Sequence, residues 1–146
     1  MPTRTIADII SRRALVTATS DMSVLAACRL MTENHIGALL VVENAAIAGI
    51  FTERDVLNKI VSPGRDPGST ALADVMVRDP QTIGTDKPLG YALYMMAEGG
   101  FRHVPVVDAT GKPLGMVSAR DALGQDMIDL ERELKHQKEL EASIGY

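Results

Sequence analysis

The chain repeats itself, and that duplication limits what it can fold into more than any other feature. Thr17 aligns with Thr82, Asp21 with Asp86, Ala27 with Ala92, Met31 with Met96, Glu33 with Glu98, and Val41-Val42 with Val106-Val107, all in one register. The second copy then gains one residue in the turn Ala109-Thr110-Gly111. Beyond it Gly49 aligns with Gly115, Arg54-Asp55 with Arg120-Asp121 and Leu57 with Leu123. The leaders match as well: Asp8-Ile9-Ile10 lies over Asp74-Val75-Met76, and Arg12 over Arg78. The chain has 146 residues. Copies of about 60 residues are marginal alone, so the two are expected to share one packed unit.

Each copy reads β-α-β-β-α. Val24, Ala27, Cys28 and Met31 recur at the spacing of an amphipathic helix, and Leu89, Ala92, Leu93 and Met96 repeat the stripe. Asp21 and Asp86 are the expected N-caps, and Pro88 suits a first helical turn. The apolar runs Ile36–Val42 and Phe101–Val107 predict buried strands. Asn44–Ala46 and Ala109–Gly111 are turns, Ile47–Thr52 and Leu114–Ser118 second strands, and second helices start near Asp55 and Asp121. Gly99-Gly100 is a helix stop. Ser62–Ser69 is rich in breakers and predicts a mobile, exposed loop. Past Ala122, good helix formers run to Ser143, with Glu131 placed four residues before Lys135. The expected organisation is a first repeat with leader and linker over 1–70, a second over 71–124, and a helical tail over 125–146.

Composition excludes several function classes. Net charge is −4, aromatic residues are 3% and tryptophan is absent, a poor profile for binding nucleic acid. No apolar run approaches the roughly 20 residues of a membrane span, so no membrane partner is expected. The opening MPTRTIADIISRR has no unbroken apolar stretch or small-residue cleavage site, so no secretory signal is expected. The lone Cys28 rules out an internal disulfide and fits a cytoplasmic setting. It lies on a core-facing stripe and reads as a small buried hydrophobe. No histidine pair has metal-ligand spacing, and no nucleophile elbow, Walker loop or pair of catalytic carboxylates occurs. Neither a metal nor a catalytic residue is expected. His35 and His136, Arg12-Arg13 and the Lys135–Lys138 segment read as solvated.

Gly49-Ile50-Phe51-Thr52-Glu53-Arg54-Asp55 and Gly115-Met116-Val117-Ser118-Ala119-Arg120-Asp121 share a pattern of glycine, two apolar residues, a hydroxyl, any residue, Arg and Asp. Each sits where a strand hands over to a helix. Thr52 with Asp55, and Ser118 with Asp121, have the spacing of capping boxes. Arg54 and Arg120 point elsewhere. A cation in a first helical turn opposes the macrodipole by about 0.3–1 kcal/mol, and a twofold occurrence suggests an anion at that helix end. A carboxylate beside a hydroxyl can also accept both hydrogens of a ribose diol. At the level of spacing, capping and ligand binding both stand.

The duplicated unit, over about residues 5–124, resembles a tandem pair of cystathionine-β-synthase (CBS) domains, a Bateman module. The residues that carry the resemblance are Gly49–Asp55, Gly115–Asp121, Asp74-Val75-Met76 and Phe101–Asp108. The chain also resembles stand-alone members with no attached catalytic domain. The resemblance implies an α/β (α+β) fold of two β-α-β-β-α repeats about a pseudo-twofold axis, followed here by a C-terminal helix. It also implies two clefts that take adenosyl ligands such as AMP, ATP, NAD or S-adenosylmethionine. It assigns Asp55 and Asp121 to the ribose diol, and Thr52 and Ser118 to the ribose and phosphate. The resemblance also implies that Thr17 and Thr82 reach the cleft of the opposite repeat and that Arg102-His103 approach the phosphates. The first copy has Gly37-Ala38 at that last position. The cleft of Ser118 and Asp121 is therefore expected to hold Arg102, His103 and Arg120, with Thr17 reaching across. That of Thr52 and Asp55 is expected to hold Arg54, with Gly37 and Ala38 opposite and Thr82 reaching across. Ile36, Ile50 and Met116 would flank the base. His103 fits a ligand contact and a satisfied strand histidine equally well.

The function so implied is a regulatory sensor of adenosine nucleotides rather than an enzyme, one that shifts pose on binding and is read by an unknown effector protein. A ligand-independent dimeric scaffold and, third, an enzyme acting on a nucleotide are the alternatives. A homodimer is implied by resemblance. Met127, Leu130, Leu134 and Ile144 form a tail stripe broken at Gln137 and Glu141, expected to cap a dimer or pack back on its own domain rather than form a long coiled coil.

Overall fold

Two small sheets form, and the first is completed by a short strand from the segment that leads into the second repeat. A computed structural model describes residues 4–11 and 13–143, with 125–129 described by their backbone alone. The order is α1 (Ile6–Ile10), β1 (Thr17–Ala18), α2 (Val24–Glu33), β2 (Ala38–Glu43), β3 (Ala46–Thr52) and α3 (Glu53–Asp55), which continues as a π-helical stretch over Val56–Val61. Then come α4 (Leu72–Val75), β4 (Val77–Arg78), β5 (Ile83–Gly84), α5 (Leu89–Gly99), β6 (His103–Val107), β7 (Pro113–Ser118), a 3-10 turn over Ala119–Leu123 and α6 (Gly124–Ser143). One sheet has the order β1-β2-β3-β4 and the other β5-β6-β7. In each, a short strand runs parallel to the first strand of an antiparallel hairpin. Bulges fall at equivalent places, Val41/Val42 and Val106/Val107, so the duplication extends to irregularities of register.

The apolar stripes close two cores, and the leaders are exchanged between them. Leu72, Val75 and Met76 of the second leader pack with Val24, Ala27, Met31, Leu39, Val41 and Phe51 of the first repeat. Ile6 of the first leader packs with Ile83, Leu89, Ala92, Val104 and Val117 of the second. Backbone bonds repeat the exchange. Leu72 N–H donates to Met22 O at 2.9 Å, and Ile6 N–H to Lys87 O at 3.0 Å; Val24 N–H reaches Thr70 O at 2.8 Å, and Leu89 N–H reaches Arg4 O at 3.0 Å. A fully buried Leu or Ile contributes about 1.5–3 kcal/mol, so neither core is complete without the other repeat's leader.

The motif glycines follow from this packing. A Cβ on Gly49 would lie 2.8 Å from both Met76 Sδ and the Val77 carbonyl oxygen, and one on Gly115 would lie 3.0 Å from Ile10 Cγ2. The caps differ from expectation. Ser23 caps α2, accepting Ala26 N–H at 3.1 Å, and Pro88 occupies the cap position of α5. Asp21 instead accepts the Thr19 hydroxyl at 2.5 Å. Both helices start late because the residues ahead of them bridge to the exchanged leaders, Ser23 with Ala71 and Pro88 with Thr5. Gly100, at φ +71°, stops α5 as expected. The first hairpin turns through Asn44 and Ala45, both at positive φ. The longer second turn is held by Asp108 Oδ1, which accepts Thr110 N–H at 2.8 Å and Lys112 N–H at 3.0 Å.

The linker of residues 62–69 is exposed, and Asp66 organises it through bonds to Gly68 N–H and the Thr70 hydroxyl. Cys28 is half-buried rather than buried, and burial pushes its thiol pKa up. Leu130 and Leu134 are exposed on α6, so that part of the tail does not pack back on its own domain. Arg12 and Ile144, and the side chain of Met127, lie outside the described residues. Among those described, no helix is long and apolar enough to cross a membrane.

Candidate functional site

Both motif turns form capping arrangements, and in both the motif carboxylate also carries a cation. At the first, Thr52 N–H donates to Asp55 Oδ2 at 3.0 Å and Asp55 N–H to Thr52 Oγ1 at 3.4 Å. Asp55 is buried, and Lys59, one helical turn on, places its ammonium 3.1 Å from Oδ1 while donating to Val75 O at 2.7 Å. At the second, Ser118 N–H donates to Asp121 Oδ2 at 2.8 Å. The cation there is Arg13, from the segment between α1 and β1. Its guanidinium takes the carboxylate with both terminal nitrogens, Nη1 reaching Oδ2 at 2.9 Å and Nη2 reaching Oδ1. Arg4, at the other end of α1, donates to the Asp121 carbonyl oxygen.

Two clefts lie beside these turns. One of about 1160 Å³ is framed by the Ser118–Asp121 turn, the leader from Arg13 to Val16, and the strand entry Ile36–Ala38. The other, of about 600 Å³, is framed by Thr52–Asp55, Asp79–Gln81 and Gly100–His103. The smaller volume falls within the usual range of small-molecule pockets and the larger lies somewhat above it. Ile36 and Met116 line the larger cleft with Ser118, Arg120 and Asp121, while Ile50 lines the smaller with Thr52, Arg54 and Asp55.

The opposing walls are not as expected. Gly37 and Ala38 face the Asp121 cleft, and Arg102 and His103 line both clefts. The reason is the pairing. Gly37 O accepts Glu53 N–H and Arg102 O accepts Ala119 N–H, so each strand entry sits at the junction between its own motif turn and the other repeat. Thr17 and Thr82 are exposed and line neither cleft. Strand alternation buries Ala18 and turns Thr17 outward, leaving Val16 and Gln81 as the neighbouring residues that line the larger and the smaller cleft.

Charge separates the clefts. The Asp121 cleft has four arginines, Arg4, Arg13, Arg102 and Arg120, against three carboxylates, Glu53, Asp121 and Glu131. The Asp55 cleft has two arginines, Arg54 and Arg102, against three carboxylates, Glu53, Asp55 and Asp79. The arginines outnumber the carboxylates by one around Asp121, and the carboxylates outnumber the arginines by one around Asp55. Burial opposes ionisation of Asp121, but the Arg13 bond, the Ser118 N–H and the charges of Arg13 and Arg4 outweigh it and hold the pKa below the ordinary 3.8. His103 is pushed below its ordinary 6.5 by burial, against the pull of Glu53 and Asp121 and with the help of Arg102. The motif arginines have protein partners: Arg54 donates to Gly100 O at 3.3 Å, and Arg120 lies 3.3 Å from Glu131. Arg102 makes no ion pair among the described residues.

Sequence reasoning missed Arg4, Glu53 and Lys59, and it read Arg13 as solvated, whereas the guanidinium binds the Asp121 carboxylate. Lys59 had a signal, its four-residue spacing from Asp55, and Glu53 occupied the unrestricted motif position. Nothing local marks Arg4 or Arg13, whose partner is over a hundred residues away. No group of three potential metal ligands occurs among the described residues.

The family model for the CBS domain matches residues 6–62 and again residues 72–127. The chain is 36% identical over 122 residues to the mitochondrial CBS domain-containing protein CBSX3 of Arabidopsis thaliana, covering 80% of this chain and 59% of that protein, so it spans less than two thirds of that relative's length. The solved structure of a protein with CBS domains from Burkholderia ambifaria is similar with a TM-score of 0.79 at 33% identity, over 86% of this chain and 96% of that one. A CBS domain protein from Pyrobaculum aerophilum, solved in complex with AMP, shares the fold with a TM-score of 0.75 at 23% identity, over 88% of this chain and 96% of that one. Two tandem matches fall on the two halves of the duplication, and the chain belongs to the CBS domain family.

Proposed function

We propose that this chain is a regulatory module that binds an adenosine nucleotide of the AMP, ATP or NAD type, and that the Asp121 cleft is its tighter site. One observation carries the reading: a part-buried carboxylate, Asp121, set among four arginines in a cleft of about 1160 Å³. A carboxylate recognises a diol and the guanidinium groups recognise phosphate, with charge-assisted bonds about twice as strong as neutral ones. Ile36 and Met116 supply apolar surface for a base. The AMP complex of the Pyrobaculum protein supports the ligand class. Binding acts as a signal by favouring one relative pose of the two repeats, which an effector protein reads. No chemical step is assigned to the cleft.

The Asp55 site favours a second reading, in which the motif is structural. Its carboxylate already holds the Thr52 cap and Lys59, and a scaffold needs no more. A homodimer and a cytoplasmic setting complete the proposal. Tyr91 and Tyr94 on α5, with Leu57 and Val61 on the π-helical stretch, leave apolar surface exposed for a second copy. Light scattering at micromolar concentration tests the dimer, and a monomer refutes it. For the ligand, melting is followed with AMP, ADP, ATP, NAD and S-adenosylmethionine at millimolar concentration. A ligand at 100 times its Kd adds about 2.7 kcal/mol, so a rise in melting temperature is expected with at least one phosphorylated nucleotide. No shift with any of them overturns the reading.

A further inference from the structure

The Arg13–Asp121 pair joins the leader to the carboxylate that the nucleotide reading places on the ribose of the tighter site. Lone pairs decide whether both can be served. Each carboxylate oxygen accepts about two bonds. Oδ2 of Asp121 already takes Ser118 N–H at 2.8 Å and Arg13 Nη1 at 2.9 Å, and Oδ1 takes Arg13 Nη2. A diol that donates to both oxygens therefore has to displace Arg13 from at least Oδ2. The displaced guanidinium has its side chain 46% exposed, so water takes up part of the loss of its counter-ion and the remaining cost is modest. A ligand that carries an anion next to the ribose supplies a new counter-ion. A nucleoside, or a ligand with a cationic group at that end, does not.

From this geometry we infer that Arg13 is a specificity-determining residue, which admits phosphorylated nucleotides to the Asp121 cleft and penalises uncharged nucleosides. The inference rests on the nucleotide reading and adds to it the residue that discriminates. The contrast with the other cleft follows from chain connectivity. Lys59 lies on the same helical run as Asp55 and also holds Val75 O, so it is fixed by local structure. Arg13 comes from an irregular segment between α1 and β1 and has room to exchange one anion for another. Its other contact is a long bond of 3.5 Å to Met116 O, which does not hold it in place.

The test compares AMP with adenosine by calorimetry on the full chain, using wild type, Arg13→Gln and Arg13→Lys. Wild type is expected to prefer AMP by about tenfold or more, the worth of one charge-assisted bond. Arg13→Gln is expected to bind adenosine more tightly and AMP more weakly, so that the preference shrinks about tenfold. Arg13→Lys keeps the charge without the two-pronged grip, and is expected to retain the AMP preference while binding adenosine better than wild type. Thermal melts establish that both variants are folded. If the AMP-to-adenosine ratio of Arg13→Gln stays within twofold of wild type, the inference is overturned and the nucleotide reading stands. If wild type binds neither compound, the inference is overturned, and the nucleotide reading falls with it only if ADP, ATP, NAD and S-adenosylmethionine also fail to shift the melt.

Discussion

Replacing Gly49 by alanine tests the exchange of leaders that frames both clefts. The added methyl would stand 2.8 Å from Met76 Sδ, 2.9 Å from Met76 Cγ and 2.8 Å from the Val77 carbonyl oxygen. The methionine side chain can move. The carbonyl cannot, because β3 and β4 pair there, Gly49 with Arg78 and Ile50 with Val77. Overpacking of this kind costs about 1–3 kcal/mol, and a backbone clash belongs at the upper end. Alanine regains about 0.5–1 kcal/mol over glycine in a strand, leaving a net loss of about 2 kcal/mol. At about 4 °C per kcal/mol for a chain of this size, the melting temperature falls by about 8 °C. Gly115→Ala is the internal control. Its methyl meets only the Ile10 side chain, at 3.0 and 3.1 Å, and α1 is a five-residue helix that can give. The expected net effect is within about 1 kcal/mol of wild type. Thermal and urea unfolding of the two variants read the difference directly. A Gly49→Ala protein that melts within about 2 °C of wild type, or above Gly115→Ala, refutes the packing argument.

Two further outcomes are expected. Ala45 turns the first hairpin at φ +62°, a strained position for any residue with a Cβ, so Ala45→Gly is expected to stabilise by about 1 kcal/mol in urea titration. His103 has a pKa depressed below 6.5: above that value both folded and unfolded chains hold it neutral, and as pH falls below it the unfolded chain takes the proton first. Its contribution to stability is therefore full above pH 6.5 and lost as pH falls through the folded pKa. His103→Gln is expected to flatten that acid-side slope in denaturant titrations at a series of pH values, and an unchanged slope contradicts the assignment.

The duplication made the architecture legible, because periodicity and spacing recur in both copies and each confirms the other. The strands came within a residue or two of Ala38–Glu43 and His103–Val107. The caps at Asp21 and Asp86 went wrong for a tertiary reason: the residues just before α2 and α5 are taken up by bridges to the leaders, and no local pattern reports that. The motif turns were legible as capping boxes and as candidate site residues at once, since both uses need the same carboxylate and hydroxyl. The assignment of Gly37 and Ala38 to the Asp55 cleft failed because it treated the strand entries as facing their own repeat's turn. The exchange also hid Arg13 and Arg4, since the first leader serves the second repeat. Their roles depend on a contact that spans most of the chain, which spacing cannot encode.

The central claim is that Asp121, rather than Asp55, is the carboxylate of the tighter nucleotide site, and calorimetric titration of AMP into Asp121→Asn and Asp55→Asn tests it most directly. Asparagine keeps shape and one acceptor oxygen, so capping largely survives while the charge and one acceptor are lost. The account predicts that Asp121→Asn loses the tighter AMP site and that Asp55→Asn retains it with affinity close to wild type. An Asp121→Asn protein that binds AMP like wild type would contradict the account, as would loss of the tighter site in Asp55→Asn alone.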